Sequence, residues 1–360
     1  MNKINTINQS KKTIVSIVGI RPDFIRMSKI FKKLDETFNH ILIHTGQHFD
    51  KNLSSIFFDQ LNIREPDYNL NIGANGKEHF YQTADLSIKV IELLRSKNIN
   101  PNLILFLGDS NSVVASVALK KENYKIGHIE AGMRSGDKRM LEEINRTVCD
   151  HCSDYLFTYH KNYKKKLIKE NINRDSIYIV GNTIVEVCEE IANELKINSK
   201  QNSNILLDIH RPENFNNPER MKWIIEYANL CSEKFSLPIK MLDFKRTTAY
   251  INKFNLNLKN IELIDLMSYK NYLNFIYNCK FIISDSGTSQ EEPALLNTKV
   301  IVPRDFTERP ESITNNCSFM LNNKNFALSF EWINSNKKIK TKWLGEGNTA
   351  EKIISIIKNI

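Results

Sequence analysis

The feature that most constrains this chain is an alternation that runs through nearly all of it. Short apolar, β-branched runs are each followed by a stretch with apolar residues at helical spacing. Residues 13–19 (TIVSIVG) read as a strand buried on both faces, because an Ile/Val run without polar alternation suits a parallel sheet covered by helices. Phe24, Met27, Ile30, Phe31 and Leu34 then recur on one helical face. The same reading predicts strands at 41–44, 103–107, 126–129, 155–158 and 177–180, with helices at 53–61, 84–94, 113–120, 143–149 and 184–195. A short polar stretch, 197–204 (INSKQNSN), reads as a linker. Beyond it, strands are expected at 205–209, 239–242, 261–264, 281–284 and 300–302, with helices at 218–235, 272–279, from 290, and at 350–360. Strands that alternate with helices form parallel sheets covered on both faces. The expected fold is therefore α/β, with two Rossmann-like doubly wound domains facing a cleft. The first spans residues 1–197 and the second 198–345, with a C-terminal helix in 346–360 packing back on the first.

Composition narrows the function. The 360 residues exceed the size at which one core usually stops growing, and 41% hydrophobic with 25% charged residues is ordinary for a globular chain. Fifty Lys and Arg against 41 Asp and Glu leave a net charge of 50 − 41 = +9. Much of that excess sits in amphipathic stretches such as 161–169, which read as solvated helix faces rather than a nucleic-acid patch. Part of it suits an anionic small substrate. No apolar run approaches the roughly 18 residues that a membrane helix needs. The run after Lys11 and Lys12 is too short for a signal peptide and enters Arg21-Pro22-Asp23 directly, so a cytoplasmic protein without membrane partners is expected. The cysteines form no disulfide framework. Cys149-Asp150-His151-Cys152 has no second pair, and His44 and His48 lack Cys or carboxylate companions, so no metal is expected. No G-x-G-x-x-G, Walker or G-x-S-x-G motif follows a strand, and no cofactor is expected.

In doubly wound sheets ligands bind beyond the carboxyl ends of the strands, so residues at those positions are the functional candidates. Gly19-Ile20-Arg21-Pro22-Asp23 joins the first strand to its helix, where Arg21 offers a fixed positive charge for phosphate. Thr45-Gly46-Gln47-His48 is a polar turn after the second strand. Asp109, Glu130 and Glu142 follow successive elements and are expected to converge, with Arg134, Arg139 and Arg146 nearby; paired carboxylates can divide acid and base roles. Glu143 reads as an ordinary solvated helix acid, more so than Glu142. In the second half, His210 and Arg211 follow the first strand and suit an anion or a proton transfer. Asp285-Ser286-Gly287-Thr288-Ser289-Gln290-Glu291-Glu292 follows another strand. Its backbone N–H groups and hydroxyls are expected to cradle a diphosphate at a helix N-terminus, with Glu292 placed to accept from two ribose hydroxyls. The charged cluster from Arg304 to Glu311 succeeds the next strand at the same sheet edge.

These motifs, in this order and across nearly the whole chain, resemble the bacterial non-hydrolysing UDP-N-acetylglucosamine 2-epimerases. The matching segments are Ile20-Arg21-Pro22, Thr45–His48, Gly108-Asp109-Ser110, His128–Gly132, Glu142–Arg146, Val180–Thr183, His210-Arg211, Asp285-Ser286-Gly287 with Gln290-Glu291-Glu292, and Arg304-Asp305 with Thr307–Glu311. The resemblance implies a glycosyltransferase-B-like pair of domains, usually a homodimer, with UDP held mainly by the second domain. It implies inversion at C2 of a UDP-2-acetamido sugar through elimination of UDP to a 2-acetamidoglucal and re-addition, for bacterial surface polysaccharide synthesis. Asp109, Glu130 and Glu142 match the family's catalytic carboxylates and His210 a catalytic-site histidine. Arg21, Ser286, Gly287, Glu292 and Arg309 match its UDP contacts; Gln47, His48, Arg146, Arg211 and Thr288 complete the expected substrate-binding set.

The chain also departs from the family. Thr288 and Ser289 stand where Gly and an apolar residue are usual, and Pro212 replaces a usual charged residue. Met241-Leu242-Asp243-Phe244 occupies the place of a Pro-x-His-Pro-like segment, and the turn over 134–141 is short, as in relatives acting on modified sugars. Three rivals stay open: a hydrolysing 2-epimerase releasing N-acetylmannosamine and UDP, a glycosyltransferase-B-type UDP-sugar transferase, and a silent UDP-sugar-binding protein. Product identity, acceptor dependence and hydrogen exchange at C2 separate them.

Overall fold

The computed structural model describes residues 11–46, 58–75, 78–137, 140–195 and 199–360. The chain divides into two compact units, one formed by Met1–Val187 with Leu344–Ile360 and the other by Cys188–Trp343.

The first unit is built on seven strands: β1 (Thr13–Val18), β2 (Asn39–His44), β3 (Tyr68–Asn69), β4 (Leu103–Leu107), β5 (Ile126–Ile129), β6 (Tyr155–Thr158) and β7 (Ile177–Ile179). They are ordered β3-β2-β1-β4-β5-β6-β7 and every pairing is parallel. β4 shows why a continuous apolar run was needed: all five of its residues, Leu-Ile-Leu-Phe-Leu, are buried. The core on one side of this sheet joins Val15, Ile17, Ile104 and Phe106 to Leu86, Val90 and Leu119 from the covering helices. The terminal helix Thr349–Lys358 belongs to this unit and packs on helix Arg21–Thr37. Its seat uses Gly181 at φ +94°, where a Cβ would lie 2.9 Å from Thr349 Oγ1.

The second unit has six strands, β8 (Asn204–Asp208), β9 (Ile239–Leu242), β10 (Ile261–Ile264), β11 (Cys279–Ser284), β12 (Lys299–Val302) and β13 (Ser318–Met320), ordered β10-β9-β8-β11-β12-β13 and again all parallel. Both sheets therefore step outward over three strands and then return beside their first strand. This produces a switch point between β1 and β4 and another between β8 and β11, where a doubly wound sheet leaves a crevice for ligand.

The expected doubly wound α/β architecture is present, with local differences. β3 and β13 are too short to carry a period, and the helix Lys245–Lys253 buries only Thr247 and Ile251, too few apolar positions to mark it. The helix expected at 272–279 starts at Tyr269 and ends at Asn278, because Cys279 opens β11. Of the helix expected at 53–61, only residues 58–60 lie in a described helical segment. Among the described residues, no helix is long and apolar enough to cross a membrane.

Candidate active site

At the first switch point β1 ends before Gly19 and Ile20, and the helix Arg21–Thr37 starts with Arg21 and Pro22. Arg21 is half-buried there. Asp23 turns back, so that its Oδ2 accepts from Gly19 N at 2.9 Å, Ile20 N at 3.1 Å and Ser110 Oγ at 3.2 Å. Burial outweighs these hydrogen bonds and the nearby Asp109 adds to it, pushing the Asp23 pKa up to about 7.

β4 delivers Gly108 in the left-handed region and then Asp109. The Asp109 carboxylate pairs with the Arg146 guanidinium, and Asn145 Nδ2 donates to the Asp109 carbonyl at 3.0 Å. Arg146 is buried, with its Nη1 3.3 Å from Glu143 Oε2. The expectation that Glu143 is a solvated acid is overturned. It is buried, and it accepts from Ser135 N and Oγ at 3.0 Å each and from Gly136 N at 2.9 Å, which ties down the turn ahead of its helix. Helical geometry points position 143 inward and leaves Glu142 half-buried beside it.

β5 delivers Glu130, whose φ of +74° is rare for a residue with a side chain. Such backbone strain, of order 1–3 kcal/mol, persists where the surroundings over-determine it. Here they do so by burying the carboxylate, with Oε2 3.3 Å from Arg26 Nη1 and accepting from the Tyr159 hydroxyl at 3.3 Å. Arg26 also donates to Asn182 Oδ1 at 3.4 Å, and Tyr159 shares a 2.8 Å contact with Thr183 Oγ1. The ends of β1, β4, β5 and β6 thus hold one carboxylate cluster with its own cations.

The second switch point is built the same way. Asp285, just past β11, is fully buried and accepts from His210 N at 3.0 Å, Arg211 N at 3.1 Å and Asn214 Nδ2 at 2.9 Å, which fixes the loop after β8. Gly287 lies under Arg309: a Cβ there would come within 2.8 Å of Arg309 Nη1 and 3.7 Å of Arg211 Nη2. The glycine therefore leaves room for the Arg309 guanidinium against this loop, with Arg211 at ordinary contact distance beside it. Ser286 Oγ and Thr288 Oγ1 stand 3.2 Å apart beside them. Glu291 holds Arg309 Nε at 2.6 Å, and Glu292 accepts from the Tyr269 hydroxyl at 2.9 Å. The helix expected from residue 290 is instead a single turn, Thr288–Gln290, and a four-residue helix, Glu292–Leu295, ended by Asn297 at φ +55°. So short a helix has little macrodipole, and the positive potential at this loop comes from guanidinium groups.

Compared with known proteins, residues 32–358 match the UDP-N-acetylglucosamine 2-epimerase family. The chain belongs to this family. A UDP-N-acetylglucosamine 2-epimerase of Methanococcus maripaludis is 36% identical over 359 residues, covering 95% of this chain and 97% of the relative. A UDP-2,3-diacetamido-2,3-dideoxy-D-glucuronate 2-epimerase of Pseudomonas aeruginosa is 33% identical over 310 residues, covering 84% and 86%. Among solved structures, UDP-GlcNAc 2-epimerase of Methanocaldococcus jannaschii, in complex with UDP-GlcNAc and UDP, superimposes with a TM-score of 0.88. It is 32% identical, covering 97% of this chain and all of that one.

For this family member the first unit brings Asp109, Glu130 and Arg146 to one sheet edge, with Arg21 and Glu142 on the adjoining helices. The second unit brings His210, Arg211, Ser286, Gly287, Thr288, Glu292 and Arg309 to the other switch point. Gln47, His48 and Arg139 lie outside the described residues. Cys149 is buried in the core and Cys152 packs against the same cluster, so the CxxC spacing reflects one face of a helix. Sequence reasoning did not single out Asp23, Arg26, Tyr159, Asp208 or Asp285. For Asp23, Tyr159, Asp208 and Asp285 the available signal was proximity to a strand's carboxyl end; Arg26, in the second turn of the helix Arg21–Thr37, carried no such signal.

Proposed function

We propose that this protein is a non-hydrolysing UDP-N-acetylglucosamine 2-epimerase that interconverts UDP-N-acetylglucosamine and UDP-N-acetylmannosamine, or the corresponding pair of a modified UDP-2-acetamido sugar. The observation that carries the reading is the carboxylate cluster at the β1/β4 switch point, with Asp109 against Arg146 and Glu130 against Arg26 and Tyr159. The C2 hydrogen of a 2-acetamido sugar is not acidic, so inversion without a redox cofactor proceeds by elimination. A carboxylate removes the C2 proton, the C–H pair becomes the C1=C2 double bond, and the C1–O pair leaves with UDP. In the return step a UDP oxygen attacks C1 of the 2-acetamidoglucal while an acid delivers the proton to the opposite face of C2. Asp109, Glu130 and Glu142 serve these transfers. Their separate settings, one against Arg146, one in a strained buried position and one half-buried, support a division of labour.

The second unit supplies the nucleotide contacts. Arg211 and Arg309, held beside Gly287, offset the charge that UDP gains as it leaves, with Ser286 and Thr288 donating hydroxyls. Glu292 accepts from the ribose hydroxyls, and Arg21 adds a phosphate contact. The protein acts in the cytoplasm as a homodimer, and its product enters surface polysaccharide synthesis. Exposed apolar side chains on helix His79–Ser96 (Phe80, Tyr81 and Ile88) offer a surface for the second copy. The relative that acts on a diacetamido-glucuronate supports testing modified sugars beside the parent one.

Chromatographic analysis after incubation with each UDP-sugar tests the reading. A mixture of two UDP-sugar epimers supports it. Free N-acetylmannosamine with stoichiometric UDP assigns the hydrolysing reaction instead, and turnover only with an added acceptor assigns a transferase.

A further inference from the structure

Within the second unit, His210 is held by two carboxylates at once. Its Nδ1 lies 3.0 Å from Asp208 Oδ1 and 3.6 Å from Asp285 Oδ1. Ionised carboxylates only accept, so Nδ1 carries a hydrogen. Asp285 is already occupied by the backbone N–H groups of His210 and Arg211 and by Asn214 Nδ2. Asp208 is different. Its Oδ2 accepts from Ser284 Oγ at 2.8 Å and Ser289 Oγ at 3.4 Å, which turns Oδ1 to the imidazole. The carboxylate is buried, whereas the His210 side chain is 34% exposed and lines a cavity of about 560 Å³. With Nδ1 directed at the carboxylates, Nε2 is the ring nitrogen turned away from them.

The other charged groups near the ring are mixed. Arg211, from the same loop, opposes a cationic ring. Asp243, Lys245 and Arg246 line the cavity from the segment after β9, and Asp265 lines it from beyond β10. The Phe244 ring packs at 4.9 Å on the imidazole and restricts its rotation.

We propose that Asp208 is a positioning residue that, with Asp285, locks His210 with Nδ1–H directed at the two carboxylates and holds it as an imidazolium, so that Nε2–H is left as a fixed cationic donor for a diphosphate. The proposal rests on His210 being a site residue of the epimerase. Burial alone would lower the imidazole pKa; the charge and hydrogen bond of Asp208, followed by Asp285, reverse this and raise it above its usual value. Ser289 gains a reason in this arrangement: its hydroxyl donates to the carboxylate that orients the histidine.

The test is an NMR titration of the full chain carrying ¹⁵N-labelled histidine, with the His210 signal assigned by its loss in His210→Gln. In the wild type the ring is expected to titrate above the ordinary value of about 6.5, with the hydrogen on Nδ1 in its neutral form. Asp208→Asn should lower that midpoint by about 1–3 pH units, as expected for losing an opposite charge at this range, and move the alkaline limb of the kcat profile by the same amount. A merely structural role would reduce kcat at every pH and leave the limb in place. A wild-type midpoint at or below 6.5, or a midpoint unmoved in Asp208→Asn, overturns the proposal. If the variant does not fold, the wild-type midpoint and tautomer decide alone. If no UDP-sugar is turned over, the functional reading fails while the ring titration still judges this inference.

Discussion

His128 Nδ1 lies 2.7 Å from Asp150 Oδ1, and neither side chain has exposed surface. The other ring nitrogen is 2.8 Å from the Gly108 carbonyl, so both nitrogens face acceptors and the ring is held as a cation. Asp150 Oδ2 is bound by Arg134 Nη1 at 2.7 Å and Gly132 N at 3.1 Å. This network ties together the ends of β4 and β5, from which Asp109 and Glu130 follow.

Breaking this pair should be costly. Removing one partner of a buried ion pair typically costs about 3–5 kcal/mol, so His128→Gln is expected to lose about 3 kcal/mol or more in urea unfolding. Burial disfavours the cation, but the Cys149 sulfur and the Asp150 carboxylate hold the His128 pKa well above the ordinary range. A raised histidine stabilises the fold fully below its unfolded value near 6.5, and the contribution fades as pH rises through the folded value. The gap between wild type and His128→Gln should therefore be constant below pH 6.5 and shrink on the alkaline side.

Asp23 costs stability where His128 adds it, and both make the fold less stable as pH rises. The folded chain keeps its proton up to about pH 7, whereas the unfolded chain releases it near 3.8, so its ionisation erodes stability between those values. Asp23→Asn retains an oxygen for Gly19 N and Ile20 N and removes that cost. The variant should match wild type near pH 4 and exceed it by about 2–4 kcal/mol at pH 8, since each tenfold difference in proton affinity between folded and unfolded chains is worth about 1.4 kcal/mol. Denaturant titrations at both pH values read this directly.

Glu143 separates packing from chemistry. Three hydrogen bonds from the 135–136 turn and the contact with Arg146 end on its carboxylate. Glu143→Ala should cost about 2–3 kcal/mol in unfolding, because it strands donors that bonded a charged acceptor. Glu142→Gln should leave stability within about 0.5 kcal/mol and remove turnover.

The carboxylates that perform proton transfer should affect rate and leave nucleotide binding alone. Asp109→Asn and Glu130→Gln are each expected to lower kcat by about 10²–10⁴-fold, the usual share of general acid–base help. UDP affinity by calorimetry should stay within twofold, since the contacts proposed for UDP lie largely in the second unit. Loss of UDP binding in either variant would assign that residue a structural role.

Strand bounds are legible in the sequence with or without complete burial: β10, with Glu262 and Leu263 exposed, falls at the expected 261–264 just as β4 falls at 103–107. β4 is legible to the residue because its five side chains are all apolar and buried, and β5 is legible to the residue although it carries the buried His128. Asp109, Glu130 and His210 are candidates by position, since the end of a buried strand is where a polar residue needs a reason. Partners supplied by long-range contact were not legible. Nothing local distinguishes Glu143 from Glu142, and only the turn at 135–136 makes one of them a buried acceptor. Asp23 and Asp285 looked like ordinary residues of their motifs, because their bonds to Ser110 and Asn214 bridge 87 and 71 positions of sequence. The helix expected at 290 failed for a local reason: Pro293 and Asn297 confine it to four residues.

The central claim is C2 inversion by elimination and re-addition. Proton NMR of the purified protein with UDP-N-acetylglucosamine in heavy water, without added metal or nicotinamide, tests it most directly, and modified UDP-2-acetamido sugars follow under the same conditions. The account predicts a mixture of gluco and manno UDP-sugars with deuterium at C2 in both. Epimerisation that retains the original C2 hydrogen, or no C2 exchange with any of these sugars, would contradict it.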